Sequence, residues 1–270
     1  MRTRAGQLWH EAPGGGVFRV LTPVGARTVH KLTDPADARA AAALVARFHA
    51  AVRDLDWDFR MVRPGVHDTA AHYQRLRDAL AAHPGHRLYD QVAPLAERIL
   101  AGWSPSDVAP LPARVLHGDL KISNVRFEDG PVAIALIDLD TFQRGTLDIE
   151  LGDAMRSWCN PLPEDRTDAT FDLDLFAAAM RGYAEGAGAD GPSDAEWSAI
   201  VPGIQRVAWE LASRFAMDAL AESYFGFDPK YGGRGEHNLL RARGQAAVAE
   251  AVAARADEAQ EAVAAARREQ

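Results

Sequence analysis

The most informative part of this sequence runs His117-Gly118-Asp119-Leu120-Lys121-Ile122-Ser123-Asn124. A further polar group follows shortly afterwards, because the apolar run 133–137 ends at Asp138. Between the two lies Glu128-Asp129-Gly130-Pro131, a composition typical of a hairpin turn. The pattern predicts a strand before the loop, then a loop, and then two strands joined by a tight turn, with a carboxylate at the end of the last strand.

These residues suit the transfer of a phosphoryl group, which needs an oriented hydroxyl and neutralised phosphates more than covalent chemistry from the protein. Asp119 is the candidate base, and Lys121 is positioned to balance charge at the transferred group. Asn124 and Asp138 offer oxygen ligands, and magnesium takes few protein ligands when phosphates and waters supply the rest. His117 is expected to hold the loop in shape through hydrogen bonds to nearby backbone. An aspartate in a turn is commonly only a turn former, so the combination carries the prediction.

With these residues the sequence resembles the aminoglycoside phosphotransferase and choline kinase superfamily, whose members are relatives of protein kinases. The catalytic loop of that superfamily looks like His-Gly-Asp-x-x-x-x-Asn, and its metal-binding strand ends in Ile-Asp, as Ile137-Asp138 does here. The resemblance implies a protein-kinase-like α/β fold. It also implies that Asp119 is the catalytic base and that Asn124 and Asp138 hold the magnesium that accompanies ATP.

Within that superfamily the sequence looks most similar to the N-acetylhexosamine 1-kinases, over residues 20–245. The resemblance implies a sugar acceptor, with the anomeric hydroxyl of an N-acetylhexosamine as the specific expectation. An aminoglycoside or an amino alcohol is the alternative acceptor. The runs that carry the resemblance are Lys121-Ile122-Ser123-Asn124-Val125, Ile137-Asp138-Leu139-Asp140-Thr141, Gly152-Asp153-Ala154-Met155-Arg156, His67-Asp68-Thr69, and His237-Asn238-Leu239 with Arg241 and Arg243.

Six residues are candidates for contact with the acceptor, and each also has a structural interpretation: Asp140, Arg156, His67, Asp68, Tyr224 and Arg241. Asp140 can bond the turn that follows its strand, and Asp68 can cap a helix. An aromatic residue and a cation in helical segments more commonly serve packing and the surface. Asp153 is expected to fix the catalytic loop through the backbone of that loop, with Arg156 on the same helix face.

Helical periodicity and capping residues predict a mainly helical chain. We expect residues 1–30 to be the remnant of a small lobe, made of a β-hairpin and a hinge, and residues 31–270 to be a large helical lobe that carries the catalytic loop. The tail 246–270 is rich in Ala, Glu and Arg, and is interpreted as a solvated or partner-facing helix. The predicted helices are 33–52, 69–82, 92–103, 149–158, 170–186, 194–224 and one that begins near 237.

The start of the chain departs from the family pattern, which has a Gly-rich phosphate loop and a strand lysine. The run Gly14-Gly15-Gly16 fits a hairpin turn better than a phosphate loop, and Lys31 is interpreted as solvated. The first strands of the small lobe are therefore expected to be missing. Either the start codon has been assigned too far downstream, which the retained base and metal ligands favour, or the chain is a truncated pseudokinase-like binding module.

Composition excludes several classes of protein. The net charge of −8, without a basic cluster, argues against nucleic acid as a partner. No apolar run is long enough for a membrane span, and no signal-like segment follows Met1. The single cysteine, Cys159, excludes an internal disulfide and suits a reducing compartment. We therefore expect a cytoplasmic globular protein whose partner is a small-molecule acceptor.

Overall fold

The computed structural model describes residues 1–60, 64–107, 110–189 and 191–269. In these ranges the chain is mostly helical, with small β-sheets near the candidate catalytic loop, residues 117–124, which we call the catalytic loop. The loop predicted around Arg63 lies partly outside the described residues. The helices are α1 (Pro35–Ala51), α2 (Thr69–Ala82), α3 (Tyr89–Ala101), α4 (Leu147–Trp158), α5 (Leu173–Ala187), α6 (Asp194–Ala221), α7 (Arg234–Ala254) and α8 (Ala256–Arg268). The strands are β1 (His10–Glu11), β2 (Val17–Phe18), β3 (Arg27–Thr28), β4 (Arg114–Leu116), β5 (Val125–Phe127), β6 (Ala133–Leu136) and β7 (Gln143–Gly145).

Capping side chains set the starts of the helices, as their sequence positions predict. The carboxylate of Asp34 accepts a hydrogen bond from the backbone N–H of Ala36 at the start of α1. Asp68 does the same for α2, where Ala71 donates. The prediction of a helix to residue 224 was wrong by three residues, because Glu222 adopts a left-handed conformation with φ 48° and ends α6.

Three small antiparallel sheets are present in the described ranges, and two of them carry the strands on either side of the loop 117–124. The run of three glycines closes the β1–β2 hairpin, as predicted, with His10 opposite Phe18. The second sheet has the order β3-β5-β6, and its last two strands form the predicted hairpin. The third sheet pairs β4 with β7, a strand that the sequence did not predict. Strand β4 ends where the loop 117–124 begins, and β7 begins where the segment 138–142 ends. The pairing of β4 with β7 therefore brings that loop and that segment together.

Close helix packing positions α4, which lies directly behind the catalytic loop. The helices α4 and α6 cross at Gly152 and Gly203, where a Cβ on Gly203 would come within 2.2 Å of the carbonyl oxygen of Asp148. This separation allows no side chain at the crossing. The core beside it includes the fully buried side chains of Trp158 and Trp197. The crossing therefore fixes the height of α4 relative to the rest of the core.

The tail was interpreted as a solvated or partner-facing helix, and for one face of α8 that interpretation was wrong. Helix α8 packs against α5, and Ala259, Val263 and Ala266 on one face of α8 are buried in the hydrophobic core. These residues recur at helical spacing and form a narrow stripe of small side chains. The side chains of the stripe are small and contribute little apolar surface, so the average composition of the tail does not reveal that one face is buried. No helix in the described part of the chain is both long enough and apolar enough to span a membrane.

Candidate active site

Four candidate residues from the sequence lie together at the ends of β4 and β6. The ammonium of Lys121 lies 2.8 Å from Oδ2 of Asp119 and 3.8 Å from Oδ2 of Asp138. The side-chain N–H of Asn124 donates to the backbone carbonyl of Asp119 at 2.9 Å and to its Oδ2 at 3.3 Å. Two carboxylates, an amide and an ammonium therefore share one small region.

The four side chains differ in their exposure to solvent. The side chains of Asp119 and Asp138 keep 30% and 47% of their surface exposed, so both carboxylates are accessible to a ligand. Asn124 is buried. The hydrogen bond from Lys121 to Asp119 raises the pKa of the lysine, and the Asp138 charge adds to that effect. Lys121 is therefore a stable positive charge between the two carboxylates.

The catalytic loop needs glycine at its second position. Gly118 has φ +80°, and a Cβ there would lie 2.4 Å from the carbonyl oxygen of Thr141. The same threonine donates a hydrogen bond from its hydroxyl to the carbonyl of His117 at 2.7 Å. The loop therefore packs directly against the turn that follows Asp138, which brings the base and the candidate metal ligand together.

His117 links the loop to the end of β6. Its ring is fully buried, and its Nε2 donates to the carbonyl of Ile137 at 3.0 Å. The other ring nitrogen, Nδ1, accepts from the backbone N–H of Asp119 at 3.3 Å. This is the backbone bonding expected of His117, and both ring nitrogens are used in it. The residue is therefore placed to position Asp119 rather than to meet a ligand.

Glu150 is the residue that fixes the backbone of the catalytic loop, and the sequence analysis missed it. Its carboxylate accepts hydrogen bonds from the backbone N–H groups of His117 and Gly118 at 2.7 and 3.0 Å. This role was expected of Asp153, so that prediction was wrong. Asp153 lies one turn further along α4 and instead forms an ion pair with Arg156 at 2.7 Å. The acidic residues of the first turn of α4 were the available sequence signal.

A second support that the sequence did not indicate comes from Trp158. Its indole N–H donates to the carbonyl of Leu120 at 2.7 Å, and the indole is buried. Because Leu120 directly follows Asp119, this bond ties the residue after the candidate base to the last turn of α4. The two ends of α4 therefore hold the two sides of the same loop.

Three of the six acceptor candidates have partners that account for their positions without a ligand. Asp68 caps α2, and His67 lies 2.9 Å from the carboxylate of Glu210 through its Nδ1. Burial opposes a charge on His67, but the hydrogen bond to Glu210 and the charge of Glu210 raise its pKa. Asp140 is exposed and forms an ion pair with Arg19 at 3.3 Å, on the side of the β1–β2 hairpin.

The other three candidates lie around the ends of α4, α6 and α7. Arg156 donates to Asp153 and to the side-chain oxygen of Gln245 at 3.0 Å. Arg241 donates to the carbonyl of Gly226 at 3.0 Å, and its guanidinium stacks on the ring of Phe215. Tyr224 is 68% exposed and lines a cavity between α2 and α6. Arg156 therefore contacts α7, the helix that carries Arg241, and Arg241 contacts the loop that carries Tyr224.

The donor set of Asn124 and Asp138 fits magnesium, which accepts a few hard oxygens from the protein and takes the others from phosphates and water. Because the side-chain nitrogen of Asn124 bonds Asp119, the amide oxygen is the atom that remains for a metal. Asp138 sits at φ 64°, a left-handed conformation that is uncommon for a residue other than glycine. Among the described residues, no group of three or more His, Cys, Asp or Glu side chains could hold a metal ion.

Two solved structures resemble the whole chain. One is an aminoglycoside phosphotransferase from Alicyclobacillus acidocaldarius, with a TM-score of 0.57 and 16% identity over 99% of this chain and 76% of that one. The other is a choline/ethanolamine kinase family protein from Mesorhizobium loti, with a TM-score of 0.52 and 18% identity over 96% of this chain and 77% of that one. The two similarities confirm the predicted fold class, a protein-kinase-like α/β fold.

The sequence gives the stronger evidence for the family. The model of the phosphotransferase enzyme family (APH) matches residues 2–189, which include β1 to α5 and the whole catalytic loop. This match covers more than half of the chain. The chain belongs to the phosphotransferase enzyme family.

Proposed function

We propose that this phosphotransferase moves the γ-phosphoryl group of ATP to the hydroxyl of a sugar, with magnesium as the metal. The observation that carries the proposal is the convergence of Asp119, Lys121, Asn124 and Asp138 near the ends of β4 and β6. The specific candidate for the acceptor is the anomeric hydroxyl of an N-acetylhexosamine. That finer assignment is supported by the motifs at 67–69, 152–156 and 237–239.

Asp119 is the proposed base, because its carboxylate is accessible and its backbone is held on both sides. It would orient the acceptor hydroxyl and accept its proton as the new oxygen–phosphorus bond forms. Lys121 holds this carboxylate at 2.8 Å and keeps a positive charge beside the transferred group. His117 and Glu150 act by positioning the loop.

Asn124 and Asp138 would hold magnesium through the amide oxygen and the carboxylate. A magnesium ion held there would neutralise charge on the phosphates of ATP, the donor of the phosphoryl group. The carboxylate of Asp138 is 47% exposed and lies 3.8 Å from the ammonium of Lys121, beyond hydrogen-bond distance, so it is open to a ligand on its solvent side. The protein itself orients the hydroxyl and the carboxylate.

The acceptor side of the site is proposed to lie where α4, α6 and α7 meet. Arg156, Tyr224 and Arg241 lie there, and His67 contacts α6 through Glu210. The exposed ring of Tyr224 offers an apolar face against which a sugar ring can pack. Asp68 and Asp140 have local structural partners, so we give them a smaller part in recognising the acceptor.

The test is ATP consumption with magnesium over a panel of N-acetylhexosamines, simple sugars, aminoglycosides and choline. We expect phosphorylation of a sugar and its absence in the Asp119→Asn variant. Transfer to aminoglycosides or choline alone would replace the sugar with the alternative acceptor. Nucleotide binding by thermal shift without any transfer would contradict the proposed activity and favour a pseudokinase-like binding module.

A further inference from the structure

A cavity of about 460 Å³ lies between α2 and α6, beside the loop that follows α6. We call it the α2–α6 cavity. Its lining includes Arg75 on α2, Arg214 and Met217 on α6, and Tyr224 and Phe225 on the loop. It therefore combines two guanidinium groups with an apolar and aromatic wall.

Among the described residues, the contacts of these guanidinium groups are with His72 for Arg75 and with the Phe225 ring for Arg214, and neither contact is with a carboxylate. The charge of Arg214 is felt by Asp153, whose pKa it helps to lower. Helical spacing places Glu210 and Asp218 four residues to either side of Arg214, but both acids are occupied elsewhere. Glu210 accepts hydrogen bonds from His67 and from the hydroxyl of Thr69 at 2.7 Å. Arg214 therefore keeps its charge available to the cavity.

Asp218 is fully buried and is used to shape the cavity wall. Its Oδ1 accepts from the backbone N–H groups of Ser223 and Tyr224, and its Oδ2 accepts from that of Phe225, at 2.8 to 2.9 Å. Asn238 donates to the same carboxylate at 2.8 Å. Four donors on one carboxylate hold the loop rigidly, so the aromatic wall exists before a ligand arrives.

One of the two arginines lies against the aromatic wall. The guanidinium of Arg214 lies 5.6 Å from the centre of the Phe225 ring, and the ring of Tyr224 meets that of Phe225 edge-on at 4.8 Å. Tyr224 is mostly exposed, although its backbone N–H is held by Asp218. An unburied aromatic face beside an available cation suits a ligand that has both a ring and a negative group.

His72 adds a neutral group at the base of the cavity. Its Nε2 lies 3.0 Å from the carbonyl of Val66, and its Nδ1 lies 3.2 Å from the guanidinium of Arg75. Burial lowers the pKa of His72, and the charges of Arg214 and Arg75 lower it further. Both arginines therefore lie close enough to His72 to oppose a positive charge on its ring.

We infer that the α2–α6 cavity binds the anionic group of a small ring-shaped molecule, a carboxylate or a phosphate, between Arg75 and Arg214, with the ring against Tyr224. Guanidinium groups match the geometry of both anions and form strong charge-assisted hydrogen bonds with them. The inference deepens the proposed function, and rests on it, in taking this molecule to be the acceptor. The acceptor class is then an acidic or phosphorylated sugar, in place of the neutral N-acetylhexosamine named above. Cationic aminoglycosides and amino alcohols are disfavoured by the two positive charges.

The experiment compares glucose, glucuronate, glucose 6-phosphate and glucosamine, which share one ring and differ in charge. Binding to the whole protein is measured by isothermal titration calorimetry without nucleotide, at low and high salt. We expect at least one anionic sugar to bind about tenfold more tightly than glucose, with a preference that falls as salt rises. Glucosamine should bind more weakly than glucose. Comparison of glucuronate with glucose 6-phosphate identifies the anion.

Arg75→Gln and Arg214→Gln should each remove most of the preference, and Arg214→Lys should retain part of it. Arg77→Gln is the matched control, because Arg77 is an exposed arginine on the same helix and is not among the described lining residues. Thermal unfolding of each variant checks the fold. If Arg214→Gln does not fold, the comparison of Arg75→Gln with Arg77→Gln decides. Equal binding of glucose and both anions, no binding of either anion, or a preference that survives both Gln variants would overturn the inference.

Phosphoryl transfer is measured separately on the same four sugars. An anion preference without transfer to any acceptor supports the cavity assignment and contradicts the proposed function. Transfer to neutral sugars without an anion preference supports the proposed function and contradicts the cavity assignment. Transfer to the anionic sugar that binds best supports both.

Discussion

Oε1 of Glu150 accepts a 2.7 Å hydrogen bond from the backbone N–H of His117, where the catalytic loop begins. The same oxygen lies 3.3 Å from Nε2 of His49 on α1, and Nδ1 of that histidine lies 2.8 Å from the hydroxyl of Tyr183 on α5. All four side chains are buried. Three helices therefore hold the backbone of the loop through one carboxylate.

Glu150→Gln should impair transfer more than it impairs nucleotide binding. The amide N–H₂ of glutamine cannot accept the hydrogen bonds that one carboxylate oxygen now accepts, so a buried N–H is left unsatisfied and the loop shifts. We expect a loss of about 1–3 kcal/mol in the free energy of unfolding. A displaced base should lower kcat by about 100-fold, with a smaller change in the KM for ATP. Urea unfolding and steady-state kinetics measure the two effects.

The matched control for that substitution is Glu185→Gln. Glu185 is on α5 and forms an exposed ion pair with Arg39 on α1. Loss of this ion pair should lower the free energy of unfolding by less than about 1 kcal/mol, because exposed ion pairs contribute little to stability. A Glu150→Gln enzyme with the kcat of the wild type would contradict the positioning role of Glu150.

Gly118→Ala should destabilise the protein more than Gly130→Ala does, although both glycines have φ +80°. At Gly130, in the β5–β6 turn, a Cβ meets nothing within 4 Å, so only the left-handed backbone opposes alanine, at a cost of about 1–2 kcal/mol. At Gly118 the Cβ also meets the carbonyl of Thr141 at 2.4 Å, which forces the loop to move. Urea unfolding of the two variants separates the two costs. Equal losses would mean that the loop adapts without strain.

Local signals made much of the fold and of the candidate site predictable. Asp34 and Asp68 indicate helix starts because capping depends on a few neighbouring residues. The catalytic loop and Asp138 are close in sequence, so a short hairpin was enough to bring them together. The same locality explains why the β5–β6 turn was predicted correctly. None of these features depends on the distant parts of the chain.

The features that were missed depend on tertiary packing. Glu150 and Asp153 are both acidic and lie one turn apart on α4, so sequence alone does not say which of them reaches the loop. The pairing of β4 with β7 joins short strands that carry no strong β pattern. In α8, Val263 is the largest residue of the buried stripe, and alanines supply the rest. Close packing buries such a stripe even though its hydropathy is low.

Asp119→Asn should abolish transfer while it leaves nucleotide binding largely intact. The substitution removes the proton acceptor but preserves Asn124 and Asp138, the proposed holders of the metal. The expected loss in kcat is about 100- to 10,000-fold, the usual contribution of a general base. Thermal shift with magnesium and ATP measures binding, and ATP consumption measures transfer. Asp129→Asn, in the exposed β5–β6 turn, is the control and should retain full activity. Transfer that persists in Asp119→Asn would contradict the assignment of the base.

His67 should make the protein more stable at low pH than it would be without this histidine. Burial opposes its charge, but the hydrogen bond to Glu210, together with the charges of Glu210 and Asp153, raises the pKa of His67 above its ordinary value of 6.5. A raised pKa means that the folded state binds the proton more tightly than the unfolded state does. The stabilisation is therefore fully present below pH 6.5 and is lost as the pH rises through the raised pKa of the folded protein.

His67→Gln measures that stabilisation directly. The difference in unfolding free energy between wild type and variant should be larger at about pH 5.5 than at about pH 8.5, as measured by urea unfolding. His72→Gln gives the opposite sign, because burial and the neighbouring arginines lower the pKa of His72. The contribution of His72 is present above pH 6.5 and is lost as the pH falls through its lowered pKa. A His67→Gln difference that did not grow at low pH would contradict the ion pair of His67 with Glu210, and a His72→Gln difference that did not grow at high pH would contradict the lowered pKa of His72.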